Sequence, residues 1–127
     1  MISEAEVMGF IPTTDAVRAR AFYEGLLGLR VVSDDPFALV VESNGTIIRI
    51  VKLKDLAPVP FTILGWRVSD IEEEVKALHG QGVEFRRYAG MAQSDLGVWT
   101  APGGAKIAWF SDPDGNVLSL SQHPEGA

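Results

Sequence analysis

Arg49 and Arg67 are the residues of this 127-residue chain whose placement most invites chemistry. Each interrupts an apolar stretch that reads as a strand, Thr46 to Lys52 and Thr62 to Val68. A guanidinium in such a place can hold a carboxylate or phosphate through two parallel hydrogen bonds. It can equally pair with a carboxylate of the protein, such as Glu42, or snorkel its head group to solvent. Ser119 and Ser121 stand in the last strand-like stretch, Val117 to Ser121. As nucleophiles they would need an adjacent base, and the sequence identifies none. Glu42 and Asp95 have the chemistry of general bases, although carboxylates at strand ends and in loops are ordinarily solvated. His79 and His123, the only histidines, lie far apart in sequence, so a shared metal or a catalytic triad is not expected. Cysteine is absent, which removes thiolate nucleophiles, thiolate metal sites and disulfides.

The elements that must position these residues occur twice. Asp15 opens an amphipathic stretch after a short strand, Val7 to Pro12, and Asp70 opens another after Thr62 to Val68. In the first, Ala19, Phe22, Tyr23 and Leu26 fall on one helical stripe; in the second, Ile71, Val75 and Leu78 do. Gly28 stops the first helix, Gly80 and Gly82 the second. Strands are predicted over Leu29–Ser33, Phe37–Glu42 and Thr46–Lys52, and again over Val83–Tyr88, Ala105–Phe110 and Val117–Ser121. Asn44-Gly45 and Asp112-Pro113-Asp114-Gly115 are the turns that lead into the two last strands. The helix-opening aspartates are 55 residues apart and the turn glycines, Gly45 and Gly115, 70 apart. The second copy thus carries about fifteen more residues between helix and last strand, placed at Ala89 to Gly104. That insertion reads either as a lid or as a surface loop supporting a dimer.

The predicted fold is α+β, two βαβββ modules forming curved mixed sheets around a cleft. Residues 1–127 make one domain, with module one at 5–53, a proline-bearing linker at 54–60 and module two at 61–122, related by an approximate twofold axis. Glu125-Gly126-Ala127 is expected to fray. Strand alternation puts Met8, Phe10 and Pro12 on one face with Ile47, Arg49 and Val51. In module two it groups Ile63, Gly65 and Arg67 with Val117, Ser119 and Ser121. Trp66 alternates away from that face and is expected in the core. Trp99, in the insertion, and Trp109, in a strand, can stack on a flat ligand or serve structurally. Tyr23 belongs to the buried helical stripe.

A net charge of −6, with no basic run longer than Arg86-Arg87, argues against nucleic acid and anionic membranes as partners. The acidic start, Met1-Ile2-Ser3-Glu4-Ala5-Glu6, lacks the basic and apolar regions of a signal peptide. No apolar run reaches the ~18 residues that span a bilayer. A cytoplasmic protein with a small-molecule ligand is the expectation.

The stretch Phe22-Tyr23-Glu24-Gly25-Leu26-Leu27-Gly28-Leu29, the helix start Asp70-Ile71-Glu72 and the turn Asp112-Pro113-Asp114-Gly115-Asn116 together resemble the vicinal oxygen chelate superfamily. It includes glyoxalase I, bleomycin-resistance proteins, fosfomycin-resistance enzymes and extradiol dioxygenases. The resemblance covers both repeats. It implies the glyoxalase/bleomycin-resistance fold, a homodimer, and in metal-using members two ligands per module. One lies in the first strand, seven residues before the helix-opening Asp; the other in the last strand, four after the turn glycine. Those positions hold Met8 and Arg49, then Ile63 and Ser119. His, Glu or Gln would be needed for a divalent cation with oxygen and nitrogen donors. The expectation is therefore no metal and no cofactor. The expected ligand-binding cleft is lined by Met8, Phe10, Arg49, Ile63, Arg67, Trp99, Ser119 and Ser121. It would bind or sequester a small organic, anionic molecule. The alternatives are a glyoxalase-like lyase or isomerase or another divergent enzyme, and a structural subunit with a vestigial cleft. Catalytic residues are not assigned.

Overall fold

The computed structural model describes residues 1–125, so Gly126 and Ala127, expected to fray, lie outside the described residues. The chain divides into two compact units, one ending at Pro58 and the other starting at Val59. The first contains β1 (Met8–Thr13), α1 (Ala16–Arg20) running into a π-helical turn (Ala21–Leu26), β2 (Arg30–Asp34), β3 (Ala38–Ser43) and β4 (Thr46–Lys52). The second contains β5 (Thr62–Arg67), α2 (Ile71–Gly80), β6 (Trp99–Thr100), β7 (Lys106–Ser111) and β8 (Val117–Gln122). Each builds a four-stranded mixed sheet, ordered β1-β4-β3-β2 in one and β5-β8-β7-β6 in the other. In both, the first strand pairs parallel with the last, and the remaining pairs are antiparallel. A parallel pair needs a crossover, and the helix supplies it. This is the α+β arrangement anticipated from the repeat.

The two helix heads are the same device used twice. Asp15 has φ −144° and ψ 93°, and its carboxylate accepts from the Arg18 amide at 3.1 Å. Asp70 has φ −141° and ψ 93° and accepts from the Glu73 amide at 3.2 Å. Each satisfies one of the amides that a helix start leaves without a partner. In the first unit Ile11, Leu39, Val41, Ile48 and Ile50 are buried on one sheet face, and Ala19, Phe22 and Tyr23 are buried on the helix. Leu26, predicted on the same stripe, is only half-buried. The reason is the π-helical turn, in which the Leu27 amide donates to the carbonyl five residues back, on Phe22, at 2.9 Å. The extra residue in the turn shifts the phase and rotates Leu26 partly out of the interior, while Phe22 and Tyr23 stay buried as the stripe predicted, with rings 5.0 Å apart and edge-on.

In the second unit Ile71, Val75 and Leu78 are buried as expected, and α2 packs on β7 and β8. Trp66 stacks on buried Phe110 with ring centres 6.4 Å apart, and Phe85 meets the same ring at 5.4 Å. The predicted strand over Val83–Tyr88 is not formed. That segment reaches β7 through a single main-chain bond, from the Arg86 amide to the Trp109 carbonyl at 2.7 Å. The outermost strand is instead the two-residue β6, drawn from inside the insertion. The Gln93 side chain explains the substitution. Its Nε2 donates to the Arg86 carbonyl at 2.9 Å, and its Oε1 accepts from the Tyr88 amide at 2.7 Å. Main-chain groups that a further ladder would use are thus bound by an amide side chain.

Candidate functional site

Pairing register decides which side chains share a face, and it groups the predicted site residues within each unit. In the first unit Phe10 is opposite Arg49 on one side, and Val40 is opposite it on the other. Met8 pairs with Ile47, so Met8, Phe10 and Arg49 stand on the sheet face opposite buried Ile11, Ile48 and Ile50. Met8 and Phe10 are exposed, and Arg49 is half-buried. Glu42, the carboxylate that could have neutralised it, is held by Arg30 through two bonds of 3.1 and 3.3 Å. Among the described residues no carboxylate forms an ion pair with Arg49. Its charge acts on Asp35. The Asp35 carboxyl is held below its ordinary range first by the Phe37 and Ala38 amides, at 2.7 and 3.0 Å, and further by the fields of Arg49 and Lys52.

In the second unit two rows run across the sheet. One is Arg67, Ser121, Ile107 and Trp99, each opposite the next. The other is Gly65, Ser119 and Trp109. Arg67, Trp99, Ser119 and Ser121 therefore occupy one face. Ile63 differs: the ladder passes from Thr62 opposite Val117 to Leu64 opposite Leu118, leaving Ile63 as the extra residue of a β-bulge. Gly65 leaves bare backbone on this face. A methyl group there would stand 2.8 Å from the Ser119 hydroxyl.

Sequence reading missed part of this face. Trp109, left undecided, lies beside Ser119 in the second row. Its ring meets Tyr88 edge-on at 5.3 Å and Trp99 at 6.3 Å with a 35° tilt. The Arg86 guanidinium lies over the Tyr88 ring at 5.7 Å and donates to Ser111 Oγ at 3.2 Å. The cluster's sequence signal is an alternating Arg86-x-Tyr88 and a Trp109 two residues from Ile107, recognisable only once the register is known. The base that Ser121 lacked in the sequence is also adjacent: His123 Nε2 is 3.0 Å from Ser121 Oγ. His123 is exposed, and among the described residues nothing orients its other ring nitrogen, so the pair lacks the third member that makes a serine nucleophilic.

The insertion at 89–104 is knitted rather than loose. Besides its bonds to Arg86 and Tyr88, Gln93 Nε2 donates to the Gly97 carbonyl at 2.9 Å. Arg87 donates to the carbonyls of Ser94 and Gln93 at 2.6 and 3.3 Å. Gly97, at φ +85°, is buried against Phe85, where a side chain would be 3.1 Å from the Phe85 Cβ. Beneath this loop a hollow of about 280 Å³ is lined by Val75, His79, Glu84, Phe85, Arg87 and Asp95. It lies apart from the strand rows that carry Arg67 and Trp99.

Metal chemistry does not fit the four family positions. They carry a thioether, a guanidinium, an alkyl group and a hydroxyl, where a divalent cation takes imidazole and carboxylate. Among the described residues no three His, Cys, Asp or Glu side chains gather into a metal-binding group.

The glyoxalase/bleomycin resistance protein/dioxygenase superfamily model matches residues 5–120. No curated protein matches this sequence. A superfamily member from Sphaerobacter thermophilus is 25% identical with a TM-score of 0.74, covering 97% of this chain and 100% of that one. TnmS3, an antibiotic binding protein from Streptomyces, is 24% identical, with a TM-score of 0.72 and coverage of 98% and 99%. Lactoylglutathione lyase from Agrobacterium tumefaciens is 16% identical, with a TM-score of 0.72 and coverage of 94% and 93%. These last two share the fold, which houses a binder and a lyase alike, so fold does not decide between those uses. The match of 5–120 spans both repeats, and this chain belongs to the glyoxalase/bleomycin resistance protein/dioxygenase superfamily.

Proposed function

We propose that this chain is a binding member of the superfamily that holds a small organic anion without a family-type metal centre, working as a homodimer. The observation that carries the reading is Arg49. It occupies a position where metal-using relatives place a ligand, beside Phe10 and Val40, with the Glu42 carboxylate of the same face engaged by Arg30 and no ion pair of its own among the described residues. Partly burying a fixed cation beside Phe10 and Val40 is unfavourable unless an anion accompanies it. The second unit adds Arg67 on a face whose other strand positions are glycine, serine, isoleucine and tryptophan. TnmS3, named as an antibiotic binding protein, supports the compatibility of this fold with a binding role.

The test is titration calorimetry in buffer containing EDTA, with a panel of small carboxylates and phenolates against their amide and ether counterparts. At least one anion binds, its neutral counterpart binds at least tenfold more weakly, and Arg49→Ala reduces the anion's affinity. Binding that appears only when a stoichiometric divalent metal is added, or equal affinity for neutral counterparts, refutes the reading.

A further inference from the structure

The face of the second unit has more structure than a cation in an apolar setting. We infer that it selects planar aromatic acids, stacking the ring on Trp99 and holding the acid group with Arg67. This rests on the anion-binding reading above and names the ligand class. Three observations combine. The first row places Arg67 and Trp99 at its two ends with Ser121 and Ile107 between. Three strand steps of about 4.8 Å separate those ends by roughly 14 Å between main chains, a gap that side chains as long as arginine and tryptophan can narrow to the size of an aromatic ring system. The second row keeps the middle low, since Gly65 has no side chain and Ser119 a small one. A flat body can lie against that floor, whereas a puckered one of the same carbon count stands off it.

The third observation is that Trp99 is held in place. Trp109 backs it at 6.3 Å, and Tyr88 braces Trp109 edge-on at 5.3 Å. Gln93 fixes the main chain on both sides of the cluster: its side chain binds the Tyr88 amide and the Gly97 carbonyl, and its backbone bridges to Trp99. An indole in a two-residue edge strand would otherwise swing freely, and a pre-positioned ring loses less entropy on binding. Trp99 and Trp109 remain half-buried, so ring surface is left to be covered.

The experiment compares 2-naphthoate, decahydro-2-naphthoate and 2-naphthamide by titration calorimetry, with tryptophan emission followed in parallel. 2-Naphthoate binds roughly tenfold tighter than the saturated acid, the size expected from one stacked aromatic pair, and perturbs tryptophan emission. Trp99→Leu removes most of that preference while leaving the saturated acid's affinity unchanged, and Trp99→Phe retains part of it. The preference is a ratio within one variant, and the unchanged affinity of the saturated acid shows that the fold is intact, so general damage does not mimic the result. Equal affinity for the two acids overturns the aromatic selection and leaves the anion reading standing. Equal affinity for naphthoate and naphthamide overturns the anion reading itself. A preference that survives intact in Trp99→Leu, or failure of both acids to bind, overturns the assignment of this face.

Discussion

Asp112 is 6% exposed and Asn116 2%, and the bonds between them tie the turn before the last strand. Asp112 Oδ1 accepts from the amides of Asp114 and Asn116, both at 2.9 Å, while Oδ2 accepts from Asn116 Nδ2 at 2.9 Å. The Asp112 amide donates to the Asn116 carbonyl at 3.0 Å, and Gly115 takes φ +86° to close the turn. One carboxylate thus answers three donors where water does not reach. Asp112→Ala leaves those donors without it and should cost about 3 kcal/mol, the upper part of the range for a buried, charge-assisted set. Urea denaturation measures it, and a loss under about 1 kcal/mol would mean the turn holds without its carboxylate. The residues that make this motif recognisable are therefore structural, and they position β8 with Ser119 and Ser121. Arg49 is the opposite case: among the described residues it forms no ion pair.

At the scale of elements, Glu72 and Lys106 join the first turn of α2 to β7 at 3.0 Å. The Glu72 carboxyl is held below its ordinary range first by the hydrogen bond from Lys106. A carboxyl lowered on folding contributes stability that is full above its unfolded pKa and disappears as pH falls through the lowered value. The contribution is therefore intact at neutral pH and lost on acidification below the ordinary carboxylate range. Both side chains are more than a third exposed, so solvent screening limits the pair to roughly 0.5 kcal/mol. Glu72→Gln should lower the urea midpoint slightly at pH 7 and leave it unchanged near pH 3; a difference that persists or grows at pH 3 would contradict the linkage.

Elements with a local cause were legible in the sequence. Asp15 and Asp70 announce helix starts, and Asn44-Gly45, at φ 45° and 88°, announces a hairpin. Alternation correctly separated Trp66 from Arg67. What escaped was set by contacts distant along the chain. Gln93 captures the Arg86 and Tyr88 main chain, and that suppresses a strand whose local residues favour one. The face of Trp109 depends on a register with Ser119 that no local pattern encodes. The Ile63 bulge and the π-helical turn are likewise single-residue insertions, invisible to a count of fixed period.

For the whole molecule, the repeat supplies two sheets, and with them the problem of what covers their surfaces. β1 and β2 are the end strands of the first sheet, β5 and β6 of the second. End strands carry unpaired main-chain groups, which soluble proteins cover or blunt. Large apolar side chains are exposed in the first unit as well: Phe37 is 75% exposed, Phe10 62%, Met8 and Val32 45% each. Met8 and Phe10 share one face, and a patch of adjacent apolar side chains is a common mark of an interaction surface. A second copy is the partner that an isolated chain always has available, and twofold pairing lets one patch satisfy itself. The expected outcome of sedimentation equilibrium is a species of about twice 13.7 kDa across micromolar concentrations. Phe37→Ser combined with Val32→Ser, which leaves the Phe10–Arg49 surface intact, should weaken self-association without changing the unfolding midpoint extrapolated to low concentration. A wild-type chain that sediments at 13.7 kDa throughout would show that these side chains face solvent in the working protein, and that the proposed anion site would have to be complete within one chain.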